Sequence, residues 1–211
     1  MLEELKRLQL ELAKKVVLED RYPVDELEYV IGVDQAFVDD LVISAAVKFT
    51  YPELEEVESN SSVDEVKFPY IPTFLMFREG EPAVKAVKPL LGGKCVIIVD
   101  GSGVAHPRRC GLATYIAIKL NEPSVGVTKR KLFGEEKVED GLIALKDGEE
   151  TIGYVVKGCR RCKPIYVSPG SYISPKSSLI VVKNCMRNRR LPEPIRAAHR
   201  LANEVKSYVR A

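Results

Sequence analysis

The 211-residue chain has no tryptophan, only two histidines and no long apolar run. Charges interrupt each apolar stretch well before the roughly 20 residues that a membrane-spanning helix needs, so that class of protein is excluded. Residues 1–6 form an acidic amphipathic start, whereas a secretory signal would be basic and then apolar, so we expect no export signal. Five cysteines, an odd number, then predict reduced thiols and a cytoplasmic location.

The chain does have an apolar fraction of 45%, which is ample for a folded core. No repeat, low-complexity tract or Gly/Ser linker divides it, so we expect a single domain over residues 1–211. Its net charge of +2 conceals an asymmetry: residues 1–99 hold 11 Lys and Arg against 19 Asp and Glu, and residues 100–211 hold 21 against 11. A basic half favours a phosphate-backbone partner, although an unevenly charged solvated surface would have the same composition.

Apolar spacing predicts an α/β fold in which helices flank a mixed sheet. Strands at 29–34, 41–49 and near 54–58, the first two joined by a turn at Asp39-Asp40, predict an N-terminal antiparallel meander. The apolar run at 95–99 predicts a central strand covered on both faces. The remaining predicted elements are strands at 123–127, 151–157 and 164–168, and helices at 2–19, 82–91 (with Pro82 in its first turn), 109–120, 174–187 and 193–209.

Three acidic residues lie at or near the ends of apolar segments. Asp34 lies in or just after the first strand, Asp100 ends the most apolar strand, and Glu79 begins the helical segment between them. Each alone is typical of a cap or turn residue, because an uncompensated carboxylate beside a buried strand is costly. Together they predict a site for a hard divalent cation, Mg²⁺ or Mn²⁺, of the kind that supports phosphoryl chemistry.

Two loops have unusual composition. After Asp100 comes Gly-Ser-Gly and then His106 beside two arginines, a run that allows close backbone approach to a ligand but matches neither a dinucleotide fingerprint nor a P-loop. We favour a functional over a structural histidine there. The second loop, residues 68–75, holds Tyr70 and Ile71 between two prolines, so a stiff apolar tip can either wedge between bases or cap the core.

Cys159 and Cys162 form a C-x-x-C pair. A zinc ribbon would need a second such pair, and a thioredoxin-like pair would open a helix, whereas this one precedes a predicted strand. We therefore favour an inert thiol pair over a local disulfide or a metal site, with the neighbouring Arg160 and Arg161 available to contact a nucleic-acid backbone.

In combination, these residues resemble the endonuclease V family over nearly the whole chain. The matching motifs, in chain order, are Gly32-Val33-Asp34, Phe68-Pro69-Tyr70-Ile71-Pro72 followed by Phe77-Arg78-Glu79, Val99-Asp100-Gly101-Ser102-Gly103-Val104-Ala105-His106-Pro107-Arg108, and Val125-Gly126-Val127-Thr128-Lys129. The resemblance implies an RNase H-like fold and a Mg²⁺-dependent endonuclease, with Mn²⁺ as a substitute, that recognises deaminated bases, chiefly hypoxanthine, in DNA repair. It would nick the second phosphodiester bond 3′ to the lesion and leave a 3′-hydroxyl and a 5′-phosphate.

The resemblance also implies residue roles. Asp34 and Asp100 would ligate the metal directly, and Glu79 would hold a water of that metal or a second metal. His106 and Lys129 would lie beside the scissile region, with Lys129 on a phosphate. The wedge would be Tyr70, Ile71 and Pro72, and the pocket for the flipped base would be lined by Leu75, Gly101, Gly103, Gly111 and Leu112.

One departure is visible. Ser171 stands in a late Gly-x step where many members of the family have histidine, which puts a second protein-held metal in doubt. The alternatives are a module that binds inosine-containing nucleic acid without cutting it and an RNase H-like nuclease of other specificity. The expected partner is DNA with deaminated bases, or inosine-containing RNA. We expect a monomer that uses no nucleotide cofactor and no membrane.

Overall fold

The computed structural model describes residues 1–210, and its centre is one nine-stranded sheet in the order β3-β2-β1-β4-β5-β9-β8-β7-β6. The strands are β1 Tyr29–Val38, β2 Leu41–Thr50, β3 Glu56–Glu65, β4 Cys95–Asp100, β5 Ser124–Thr128, β6 Glu135–Glu139, β7 Leu142–Asp147, β8 Glu150–Val156 and β9 Ile165–Ser171. The helices are α1 Leu2–Ala13, α2 Leu75–Val87, α3 Leu112–Leu120, α4 Pro175–Asn184 and α5 Glu193–Val209, with 3₁₀ turns at Val24–Glu26 and Lys88–Leu90.

The sheet is mixed. β1, β2 and β3 form the antiparallel meander, β4 and β5 run parallel to β1, and β9 returns antiparallel to β5. The predicted fold class, helices around a mixed sheet with an N-terminal meander, is therefore confirmed and agrees with an RNase H-like arrangement. Successive side chains of β4 point to opposite faces of the sheet, and each face is covered by a different pair of helices. Ile98 packs towards α4 and α5, and Ile97 and Val99 pack towards α2 and α3.

Two element predictions are wrong at their boundaries. α2 begins at Leu75, so Pro82 lies inside the helix and Glu79 lies in its second turn, not at its start. Burial of Met76, Ala83, Ala86 and Val87 of α2 in the core offsets the hydrogen bond that proline cannot make. α1 ends at Ala13, several residues before the predicted end at 19.

The sequence analysis missed β6 and β7, and it placed the third strand too early and too short. β6 is fully exposed and β3 mostly so, which leaves no apolar alternation to read in either strand. β6 pairs with β7 across a tight turn at Asp140 and Gly141, both with positive φ. Strand pairing, not burial, defines β3 and β6, whereas β7 buries Ala144 and Leu145.

The cysteines differ from the prediction of five reduced thiols. Cys159 and Cys162 form a disulfide, whereas Cys95, Cys110 and Cys185 are free and buried. The turn between β8 and β9 brings the first two together, which a spacing of three residues allows but does not require. None of the helices within residues 1–210 has the length and apolar character needed to cross a membrane.

Candidate metal and nucleic-acid site

Two carboxylates lie side by side because of the strand register. β1 and β4 are parallel neighbours in which Val33 stands opposite Val99. Asp34 and Asp100 are the next residues, so they occupy matching positions on strands about 4.8 Å apart. They are sixty-six positions apart in the sequence, but the pairing of β1 with β4 makes them neighbours in space. Their role as metal ligands remains a prediction.

Glu79 completes a group that we call the carboxylate centre: Asp34, Glu79 and Asp100. Burial, and then repulsion from Asp100, raises the pKa of Asp34 to about 6, although a hydrogen bond from His199 opposes the shift. Burial, then Asp100 and Asp34, raises the pKa of Glu79 to about 8. Each ionised carboxyl therefore raises the free energy of ionising its neighbours, as expected when like charges share a desolvated site.

His199 is the site residue that the sequence analysis missed. Its Nδ1–H donates to Asp34 Oδ2 at 2.8 Å, and the Asn203 amide donates to its Nε2 at 3.1 Å. The available signal was helical spacing, since His199 shares the face of α5 that carries Ile195 and Ala202, both fully buried. Nothing in the primary structure indicates that this face meets β1 at Asp34.

Ser171, which stands where many members of the family have histidine, makes a structural contact in this chain. Ser171 is fully buried in β9, and its Oγ accepts a hydrogen bond from the Val17 amide at 2.9 Å. That position ties the segment after α1 to the sheet. The imidazole beside the carboxylates comes from α5 instead, so the absence of histidine at position 171 does not deprive the centre of one.

The donor set of the carboxylate centre suits a hard divalent cation, since it is made of oxygens that repel one another without one. Within residues 1–210, no three acidic, histidine or cysteine side chains are grouped so that they hold a metal as they stand. Asp34 instead accepts from His199 and from the Gln35 amide, and Asp100 Oδ2 lies 3.5 Å from Lys129 Nζ. A bound cation would relieve the repulsion that raises the pKa values of Asp34 and Glu79, so the residues present fit the metal by their chemistry.

A cavity of about 410 Å³ opens next to the carboxylate centre. The predicted wedge stands at its rim, where Tyr70 is 68% exposed. The site residues predicted from the sequence that line this cavity are Tyr70, Ile71, Pro72, Leu75, Gly101, His106, Gly111, Leu112 and Lys129. The fold thus joins the predicted wedge, most of the predicted base pocket and one predicted phosphate contact around one opening.

Gly103 is not among the residues that line this cavity. Its amide donates to Ser168 Oγ at 2.9 Å, and a Cβ at this position would clash with the Pro169 carbonyl oxygen. The glycine is needed for close approach to β9. Gly111 combines both roles, because it lines the cavity and a Cβ there would collide with Ser102.

Behind the wedge, one carbonyl oxygen receives three hydrogen bonds, an arrangement that we call the Thr73 anchor. Gln9 Nε2, His106 Nε2 and Arg108 Nη2 donate to Thr73 O at 2.8, 2.9 and 2.9 Å. Thr73 has a φ of 68°, a conformation that threonine rarely adopts. The anchor therefore holds the backbone directly after the wedge in an otherwise unfavourable conformation.

The anchor also determines the state of His106. The ring is buried, and this desolvation lowers the pKa of His106 to about 4; the hydrogen bond to Thr73 opposes the shift, and the charge of Arg108 adds a smaller lowering. Its Nδ1 accepts from the Arg108 amide at 3.1 Å while its Nε2–H donates to Thr73. Because both ring nitrogens are engaged by backbone groups, the geometry suits positioning of the loop better than proton transfer.

Comparison with known proteins adds independent findings. The family model of endonuclease V matches residues 10–200. The chain is 64% identical to endonuclease V of Archaeoglobus fulgidus over 206 residues, which cover 97% of this chain and 93% of that one. Among solved structures, endonuclease V of Streptomyces avermitilis has a TM-score of 0.90 at 30% identity, covering 100% of this chain and 95% of that one. Endonuclease V of Ciona intestinalis, in complex with a 24mer DNA that contains an inosine followed by a ribo-adenosine, has a TM-score of 0.86 at 27% identity over 99% and 98% of the chains.

Proposed function

We propose that this chain, which belongs to the endonuclease V family and is thus a metal-dependent endonuclease, nicks DNA beside deaminated bases, chiefly hypoxanthine. The observation that carries the proposal is a cavity that has the exposed aromatic wedge at its rim and is lined by Gly101 and Lys129, the chain neighbour and the ion-pair partner of Asp100 in the carboxylate centre. The Ciona relative, bound to inosine-containing DNA, supports the choice of substrate. The proposed cut is at the second phosphodiester bond 3′ to the lesion, leaving a 3′-hydroxyl and a 5′-phosphate.

We assign the metal to the carboxylate centre, with Asp34 and Asp100 as direct ligands and Glu79 as the third acidic group. The proposed metal is Mg²⁺, with Mn²⁺ as a substitute, because the donors are oxygens. When bound, such a cation lowers the pKa of water and neutralises charge on the reacting phosphate. His199, by donating to Asp34 Oδ2, would hold that carboxylate in a fixed orientation. Lys129 would contact a phosphate next to Asp100.

Recognition of the lesion would begin with extrusion of the base, which costs least where pairing is already weakened. The exposed ring of Tyr70 would fill the gap, and the base would enter the cavity beside Gly101 and Gly111. Hypoxanthine presents a carbonyl and an N1–H where adenine presents an amine and an acceptor. A pocket of fixed backbone groups would reject adenine because those groups would be left unpaired. The Thr73 anchor would keep the wedge and the pocket in register.

The test compares substrates in single-turnover reactions with a titration of Mg²⁺ and of Mn²⁺. We expect nicking of an inosine-containing duplex and none of the same duplex with adenine, with no product in excess EDTA. Binding without product in either metal would identify a non-cleaving module. Cleavage of a plain RNA–DNA hybrid in preference to inosine DNA would identify an RNase H-like nuclease of other specificity. Inosine-containing RNA in the same series decides the preferred nucleic acid.

The remaining parts of the proposal concern the state of the protein. We propose a monomer located in the cytoplasm that uses no nucleotide cofactor. Sedimentation of the purified protein with and without DNA tests the first point. A nicking reaction that needs only metal and DNA tests the last.

A further inference from the structure

Three segments of the chain contain no acidic residue and are unusually basic. They are residues 128–133, the turn 157–164 between β8 and β9, and residues 188–192, and together they hold 9 of the 32 Lys and Arg residues. We call them the basic surface. Their cations are Lys129, Arg130, Lys131, Lys157, Arg160, Arg161, Lys163, Arg189 and Arg190, all exposed except the half-buried Arg190.

Although distant in sequence, the three segments meet. Arg190 Nη2 donates to the carbonyl oxygen of Lys129 at 2.8 Å and to that of Pro164 at 3.2 Å, so one guanidinium from the third segment bonds to the other two. The carbonyl of Arg189 packs so closely against Gly158 that a Cβ there would clash with it. The basic surface is therefore a continuous feature of the folded chain.

Its position follows from strand direction. β4 and β5 are parallel, so Asp100 and Thr128 end these strands at the same edge of the sheet. β9 is antiparallel to β5, with Tyr166 opposite Thr128, so the turn that precedes β9 lies at this edge as well. Along the edge the order is Asp34, Asp100, the loop after Thr128 and then the turn 157–164. The basic surface thus extends directly from the carboxylate centre.

The charge on this surface is not neutralised within the protein. Lys129 and Lys131 have acidic partners, Asp100 and Glu136. Of the exposed cations of the basic surface, those that form no ion pair within residues 1–210 are Arg130, Lys157, Arg160, Arg161, Lys163 and Arg189. Like charges held this close raise the free energy of the folded protein, so they are best explained by an anionic partner of repeated charge.

We infer that the basic surface binds the phosphate backbone of the duplex that flanks the cleaved bond, and does so without regard to base sequence. This inference rests on the proposed function for the location of the scissile phosphate beside Lys129. Arg160 and Arg161 are central to it, because the Cys159–Cys162 disulfide closes the turn that carries them, so the backbone of that turn has little freedom to lose on binding. The surface supplies affinity and register, while the cavity supplies lesion specificity.

The test uses Arg160→Gln/Arg161→Gln/Lys163→Gln and measures the Kd for an inosine duplex and for the same duplex without inosine, in EDTA and over a series of NaCl concentrations. The slope of log Kd against log [NaCl] should fall by about 0.9 for each phosphate contact removed, hence by about 1–3 in total. At ~0.1 M salt both duplexes should lose affinity by the same factor, roughly fivefold or more.

The matched control is Lys85→Gln/Lys88→Gln/Lys119→Gln, which removes the same charge from exposed lysines where α2 and α3 end, at the opposite edge of the sheet. Its slope should equal that of the wild type. The variant Lys157→Gln/Arg189→Gln removes charge from other parts of the basic surface and should lower the slope and the affinity as well. The test therefore remains decisive if the first variant does not fold.

An unchanged slope in both surface variants, or an equal loss in the control, would overturn the inference. A loss of affinity confined to the inosine duplex would also overturn it, because that result would mean that these residues recognise the lesion. If the wild type fails to nick inosine DNA while the surface variants still lose affinity for the plain duplex, the proposed function falls and the basic surface stands.

Discussion

The carboxylate centre and the Thr73 anchor are both polar and largely removed from solvent, yet they are built on opposite principles. In the anchor, three donors converge on one acceptor, and each buried polar group finds a partner. In the centre, three acceptors converge on one another, and burial with mutual repulsion raises the pKa of Asp34 and of Glu79. A satisfied buried network indicates positioning, whereas an uncompensated one indicates a missing partner and hence chemistry.

The largest effect should follow from removing one charge of the centre. Asp100→Asn should slow nicking of an inosine duplex by at least about 100-fold, because even residues that only support metal ligands commonly cost 10–100-fold. In EDTA the same variant should be no less stable than the wild type, since it relieves repulsion on Asp34 and Glu79. Single-turnover nicking and thermal unfolding measure the two effects. Full activity would show that Asp100 is not a ligand.

The second prediction concerns pH in the absence of metal. The folded-state pKa values of about 6 for Asp34 and about 8 for Glu79 lie above the ordinary carboxyl range, so folding favours the protonated forms. Their contribution to stability in EDTA should be fully present below about pH 4 and lost as the pH rises through 8, by an amount on the order of a few kcal/mol. The lowered pKa of buried His106 acts in the opposite sense between about pH 4 and 6.5, so the decline should be clearest between pH 6.5 and 8. Denaturant unfolding at a series of pH values measures it.

Two comparisons sharpen that pH prediction. Glu79→Gln should flatten the decline at alkaline pH, and added Mg²⁺ should oppose it by binding the folded state. If the free energy of unfolding without metal stays constant between pH 5 and 8, the carboxylates of the centre do not repel one another as inferred. The contrast between the carboxylate centre and the Thr73 anchor would then be contradicted.

The anchor should respond in the opposite sense, losing stability when a partner is removed. Gln9→Leu would leave the Cys110 carbonyl without its Gln9 donor and would also remove one donor to Thr73 and one acceptor of Arg108. We expect a loss of about 1–3 kcal/mol in the free energy of unfolding. Because the wedge then loosens, the Kd for inosine DNA should rise more than the single-turnover rate falls. A rate defect with unchanged Kd would instead place Gln9 in the chemical step.

The smallest effect on the fold should come from the wedge itself. Tyr70→Ala should leave the unfolding temperature unchanged, because the ring is 68% exposed, and should weaken binding of an inosine duplex by about 1–3 kcal/mol if it stacks on bases. Tyr208→Ala, at 72% exposure near the end of α5, is the matched control and should change neither. A loss of stability in Tyr70→Ala would indicate a core-capping role for the loop.

The outcome of the element predictions has a consistent physical reason. Elements with a strong apolar period or a continuous apolar run, such as β4 and α5, were located within one or two residues. The missed strands β6 and β7 depend on pairing with neighbours, and β6 buries no side chain. Pro82 was predicted to lie in the first turn of a helix, because proline prefers that position. The packing that keeps Pro82 inside α2 involves residues distant in the sequence, so the local pattern does not indicate it.

The amino-acid sequence by itself determined the family motifs, the three acidic residues beside apolar segments and those apolar segments themselves, because these depend on residue type and local spacing. Only the tertiary structure decided that His199 reaches Asp34, that Gly103 packs away from the cavity, that Cys159 bonds to Cys162 and that three basic segments form one surface. Each of these is a contact between residues brought together, or held apart, by strand register and helix packing. Such contacts leave no trace in local sequence, because the free energy that establishes them comes from burial elsewhere in the chain.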